Sequence, residues 1–135
     1  YAEAFTTCMA DAELGGVKAQ SILGYLYETN LGVETDYEKA LYWYQAAADQ
    51  GDKYSQYKVA QLYRTGKSGT PNTSKAVEYY RLAAEQGHAE AQMSLGVMYF
   101  EGSGTDVDME AARYWWEKAQ SNGVERAGSA LKRIP

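Results

Sequence analysis

The sequence predicts an all-α protein, a solenoid of stacked helix pairs, and three observations carry that expectation. Glycine recurs at positions 15, 51, 87 and 123, each 36 residues after the last. The stretches between align without a gap, so Gln20, Gln56 and Gln92 share a column, as do Tyr27, Tyr63 and Tyr99. Ala40, Ala76 and Ala112 form a third column, and Ala47, Ala83 and Ala119 a fourth. Within each stretch apolar residues return every three or four positions, which is the helical period. A fixed repeat of this length marks an array whose units hide their apolar faces only against their neighbours.

The single domain, residues 1–135, divides into units 16–51, 52–87 and 88–123. Residues 1–15 match the second half of a unit, with Ala4 beneath Ala40 and Phe5 beneath Leu41. Residues 124–135 match a first half and form a C-terminal capping helix, with Ala127 beneath Ala91 and Leu131 beneath Leu95. Three units and two half-units give eight helices. In the first unit, Ala19, Ile22, Leu23, Leu26 and Tyr27 mark the inner face of the first helix. The second helix starts at Asp36, whose column continues as Asn72 and Asp108; all three are good N-caps. Ala40, Leu41, Tyr44, Ala47 and Ala48 mark its buried face. Gln50-Gly51, Gln86-Gly87 and Asn122-Gly123 close it, glycine supplying the left-handed residue after a helix. Asp11 replaces the alanine of its column, and Arg126 and Arg133 make the last helix polar, as suits terminal elements of an array. Either these are caps, or the N-terminal half-unit is where further repeats were cut away.

Composition narrows the function. Net charge is −5 with both signs mixed along the chain and no basic stripe, which argues against nucleic acid or an anionic membrane as partner. No apolar run is long enough to cross a bilayer. Thirteen tyrosines and three tryptophans against two phenylalanines suit interfaces that are apolar at one end and wet at the other. The chain opens on Tyr1 rather than methionine, as expected of a processed or excised chain, and an export signal upstream of it stays an open alternative. Cys8 is the single cysteine, so no internal disulfide forms; it fits a reducing compartment and an exported protein equally. It reads as a small packed residue.

No catalytic or metal site assembles from the motifs. Gly66-Lys67-Ser68 has the tail of a phosphate loop, but Gln61 stands where the first glycine belongs and a helix precedes it. Asp106, Asp108 and Glu110 begin like a calcium loop without its central glycine, and Asp108 is already a helix cap. His88, the only histidine, lacks a second imidazole or thiol and reads as a solvated turn residue. The protein is expected to be non-enzymatic and without cofactors.

The repeated pattern also resembles a family. Leu23-Gly24-x-x-Tyr27, Val59-Ala60-x-x-Tyr63 and Leu95-Gly96-x-x-Tyr99 lead into Asp36-x-x-Lys39-Ala40-x-x-Trp43-Tyr44-x-x-Ala47-Ala48-x-Gln50-Gly51 and its two copies. This is similar to the Sel1-like repeat, a relative of the tetratricopeptide repeat, and the likeness covers nearly the whole chain. Asn30, Ala60 and Ala111 depart from it mildly, and Pro71 stiffens one loop. The resemblance implies a right-handed superhelix of antiparallel helix pairs, with first helices lining a concave face. It further implies an adaptor that binds a protein or peptide, often in bacterial envelope, secretion or host-contact systems, hence a periplasmic or secreted location with the cytoplasm still open. The alternative it offers is an immunity or inhibitor protein that captures a bacterial effector toxin. A monomer is expected.

By phase, and by analogy with the tetratricopeptide groove, the concave residues are Lys18, Ser21 and Tyr25 in the first unit. Tyr54, Tyr57, Gln61 and Arg64 follow in the second, and Glu90, Met93, Val97 and Phe100 in the third, with Arg126 and Arg133 closing the row. An aromatic and apolar strip rimmed by charge has the make-up of an interface centre. The competing reading is that these rings pack between adjacent first helices.

Overall fold

A computed structural model describes residues 2–135. Among them eight helices follow one another, with no strand: α1 (Ala2–Glu13), α2 (Val17–Thr29), α3 (Tyr37–Asp49), α4 (Lys53–Thr65), α5 (Thr73–Glu85), α6 (Ala89–Glu101), α7 (Met109–Ser121) and α8 (Arg126–Leu131). The match of Ala4 to Ala40 lies outside the described side chains. Each helix packs chiefly on the one before and the one after, and the two helices of a unit pack more extensively than helices of successive units. Burial therefore runs along the array as linked clusters rather than one centre.

Local signals set the helix ends. Asp36, Asn72 and Asp108 accept hydrogen bonds from the amides of Lys39, Lys75 and Ala111 at 3.1, 3.0 and 3.0 Å. Each also donates its own amide to the carbonyl of the column tyrosine, Tyr27, Tyr63 or Tyr99, which ties the loop back to the first helix. First helices are capped less evenly. Asp52 caps α4, but Gly16 offers α2 no side-chain cap. At the loop position where the other units have glycine, Asn30 adopts the left-handed conformation (φ 61°), which asparagine tolerates better than most residues.

Units are joined by a ladder of side-chain amides. Gln20, Gln56 and Gln92 donate to the carbonyls of Ala12, Ala48 and Ala84, each eight residues earlier on the preceding second helix. Their own carbonyl oxygens accept from Gln50, Gln86 and Asn122, each 30 residues later, at 2.9, 2.8 and 2.9 Å. Gln50 and Gln86 bond the turn carbonyls of Gly15 and Gly51 as well. Among the described residues no buried side-chain nitrogen or oxygen lacks a partner.

Within a unit, the aromatic of the second helix is the largest buried group: Tyr44, Tyr80 and Trp116 are essentially sealed from solvent. Gly24 and Gly96 let these rings approach the first helix. A Cβ at Gly96 would stand 2.3 Å from the Trp116 ring, and one at Gly24 2.6 Å from that of Tyr44. Ala60 fills this place in the second unit, beside Tyr80 in the same cluster.

Three expectations are corrected. Tyr63 and Tyr99 are half-buried, unlike Tyr27, whose ring is also met edge-on by Phe5 at 5.6 Å; a cation lies over all three rings. Lys39 and Lys75 lie over Tyr27 and Tyr63, at 5.7 and 5.4 Å from the ring centroids. In the third unit Ala111 offers no cation, and Arg81 from the preceding unit covers Tyr99 and bonds its hydroxyl instead. Ile22, placed on the inner face by its spacing, is 37% exposed. The C-terminal helix is also shorter than 124–135. Only Arg126–Leu131 is helical, since Gly128 and Ser129 are weak helix formers and a residue before proline, here Ile134, avoids helical backbone.

Two substitutions test these contacts by urea unfolding. Gln56→Leu removes the bond to the Ala48 carbonyl together with the buried oxygen that accepts from Gln86, and is expected to cost about 1–3 kcal/mol. Gly96→Ala should cost about 1–3 kcal/mol through overpacking on Trp116, despite alanine's better helix propensity.

Candidate partner-binding surface

The sequence places its candidate residues on first helices, and the structure puts them at very different depths. Lys18, Tyr25, Tyr54, Arg64, Arg126 and Arg133 are exposed, with Arg133 just beyond α8. Ser21, Tyr57, Gln61, Glu90, Val97 and Phe100 are half-buried. Met93 is buried in the C-terminal cluster with Trp116, and Val97 and Phe100 pack against that cluster. Much of the aromatic and apolar strip thus packs between helices, leaving Tyr25 as its well-exposed ring at 44%.

These residues are also bound to one another. Tyr57 stacks on His88 with ring centroids 4.5 Å apart, and its hydroxyl accepts from Gln61 at 2.9 Å. Burial pushes its phenol above the ordinary tyrosine pKa. Arg64 donates its Nε–H to the buried Tyr80 hydroxyl at 2.9 Å. Glu90 pairs with Arg126 at 2.6 Å, joining α6 to α8. Phe100 packs on Trp116, with the Arg133 guanidinium 5.1 Å from the Phe100 centroid.

Two participants escaped the sequence reading. Glu28 accepts from the Tyr44 hydroxyl at 2.8 Å and pairs with Lys58 at 3.1 Å, both charges being largely sheltered. Burial, and then the Glu28 charge, push the Tyr44 phenol far above its usual range. The available signal was opposite charge 30 residues apart, the same offset as the amide ladder.

A cleft of about 350 Å³ opens between α4, α6 and α8. Met93, Val97 and Met98 supply its apolar lining, Ser94, Thr73 and Ser103 its hydroxyls, and Arg64, Arg126 and Glu101 its charges. Its size and mixed lining suit a few side chains of a bound segment.

His88 is corrected from a solvated turn residue to a half-buried N-cap. Its Nδ1 accepts from the Ala91 amide at 3.1 Å. Burial, and then the Lys53 charge, hold its pKa below the ordinary histidine value, while Glu90 pulls the other way.

The protein-family profile described as Sel1 repeat matches three times, over residues 17–52, 53–88 and 89–124. A Sel1 repeat protein from Oxalobacter formigenes superposes with a TM-score of 0.92 at 37% identity, covering 97% of this chain and 54% of that one. A protective antigen present in uropathogenic Escherichia coli strains, displaying an SLR fold, gives 0.87 at 37% identity, over 89% of this chain and 26% of that one. Cysteine rich protein B of Helicobacter pylori, 20% identical, shares the fold at 0.74, over 94% of this chain and 96% of its own. The chain therefore spans about half the length of the Oxalobacter protein and about a quarter of the Escherichia coli one.

His88 gives a pH test. Its cap needs the neutral ring, and its folded pKa lies below the value of 6.5 expected of the unfolded chain. Its contribution is thus complete above that pH and is lost as pH falls through the folded pKa. Urea midpoints should fall between pH 7.5 and pH 5.5, and His88→Asn, which keeps a capping acceptor, should flatten that fall.

Proposed function

This chain belongs to the Sel1 repeat family, and from that premise we propose that it works as a non-enzymatic adaptor holding a peptide or protein partner. Sel1 repeat proteins are generally protein–protein interaction scaffolds. The binding surface is the face lined by α2, α4, α6 and α8, the concave side in a solenoid of this kind. One observation carries the reading. Columns that build the core hardly change from unit to unit, whereas outward columns of the first helices change completely. Lys18, Tyr54, Glu90 and Arg126 occupy one such column, and Tyr25, Gln61, Val97 and Arg133 another. A scaffold needs the first kind of column to stack; the second is free to match a partner.

The test is affinity capture from a lysate of the source organism, with the native chain and a Tyr25→Ala, Tyr54→Ala variant as paired baits. Tyr25 and Tyr54 are more exposed than Tyr57 and Phe100, and Tyr54 meets the core only edge-on at Tyr44. Helical content should therefore persist, whereas removing Tyr57 or Phe100 would mix binding with packing. The expected outcome is a prey retained by the native chain and lost by the variant. A prey lost instead by Tyr42→Ala, Tyr114→Ala, two exposed rings on second helices, would move the site to the opposite face.

A further inference from the structure

Charge is partitioned across this solenoid in a way its net value conceals. The chain carries −5 overall. Its first helices, α2, α4, α6 and α8, with the two residues that follow α8, hold seven basic and three acidic side chains. The second helices, α1, α3, α5 and α7, hold five basic and nine acidic ones. The first helices are thus net basic and the second helices net acidic, a difference that favours approach of an acidic segment from the first-helix side.

Two guanidinium groups of the first helices line the cleft, and both are held in place. The Nε–H of Arg64 is anchored on buried Tyr80, which leaves its terminal nitrogens available. Among the described residues, no carboxylate comes within 4.0 Å of Arg64. Arg126 is steadied through one nitrogen by Glu90, leaving the rest of its fork unengaged by any other carboxylate there. Glu101 is the acidic residue in the lining and Glu90 pairs with Arg126 beside it, so among the described residues Arg64 is the cation there without a carboxylate partner. Beside the arginines lies the apolar surface of Met93, Val97 and Met98. A planar guanidinium whose orientation is already set loses little further freedom when it takes a carboxylate through two parallel bonds.

Resting on the adaptor reading, we propose that this cleft receives a partner's peptide segment in which an aspartate or glutamate adjoins an aliphatic or methionine side chain. The apolar side chain lies on Met93, Val97 and Met98, and the carboxylate engages Arg64, with Arg126 as the second cation.

A phage-displayed library of random peptides panned on the full chain tests this, with selected sequences remade as fluorescent peptides for anisotropy at low and high salt. Selected peptides should carry Asp or Glu within two residues of Leu, Ile, Val or Met. Their affinity should fall about tenfold or more in Arg64→Glu and weaken at high salt. Arg64→Gln keeps a donor for the Tyr80 hydroxyl and thus separates charge from folding; it should weaken acidic peptides while leaving the urea midpoint close to native. Selection of basic or uncharged peptides, or acidic peptides indifferent to both Arg64 variants, overturns the proposal while leaving the adaptor reading intact. Failure to select any peptide overturns it too, and lysate capture then decides the adaptor reading by itself.

Discussion

A column of buried amides inside an otherwise apolar stack sets the geometry on which the rest of this molecule depends. Gln56 gives its N–H to a carbonyl eight residues back and its oxygen to Gln86, 30 residues ahead. Neither bond can be exchanged for water where Gln56 sits, because it is only 5% exposed. An unsatisfied amide there costs more than the bond itself contributes, so the ladder penalises any slip between units. Apolar packing tolerates small displacements, but paired amides do not. The uninterrupted 36-residue period follows from this as much as from the shape of the helices. Because the units are locked, outward positions of the first helices fall into straight columns, and a surface assembled from separate units becomes one surface.

A second coupling runs from core to surface. The buried aromatic of each second helix meets a residue near the end of the first helix, and the pairs are chemically matched: Tyr44 with Glu28, Tyr80 with Arg64, Trp116 with Phe100. A phenol donates to a carboxylate in the first unit and accepts from a guanidinium in the second, while an indole packs on a phenyl ring in the third. The surface charge at this column is therefore tied to what the core can accommodate. Replacing Arg64 by glutamate would turn its partner from acceptor to donor, as the Tyr44–Glu28 pair already illustrates.

The fold was legible in the sequence because its determinants are periodic. Cap residues, turn glycines and alanine columns all return at the repeat length, and each has a local physical reason to be where it is. Depth was less legible. Helical phase places Met93 and Tyr25 on the same side of their helices, yet one is buried and the other exposed. What separates them is the neighbouring first helix, and at the C-terminal end also the turn of α8, neither of which phase encodes. His88 looked solitary because its side-chain contacts, the Tyr57 ring and the Ala91 amide, belong to no metal-ligand or nucleophile pattern. The ladder was half visible. The glutamine column stood out, but its link to the turn residues Gln50, Gln86 and Asn122 pairs positions 30 apart, an offset that appears only once helices are stacked.

The missing cap at Gly16 makes one unit of this array looser at its entry than the next two. With Asp52 and His88 fastening the first turns of α4 and α6, α2 alone of these three enters its unit with its leading amides unsupported by a side chain. In a chain whose units rely only on neighbours, such weakness stays local. Fraying of the first turn of α2 therefore stays within its own unit and the helix beside it. A segment seated between α4, α6 and α8 is held by other units, so the start of α2 could breathe without releasing it.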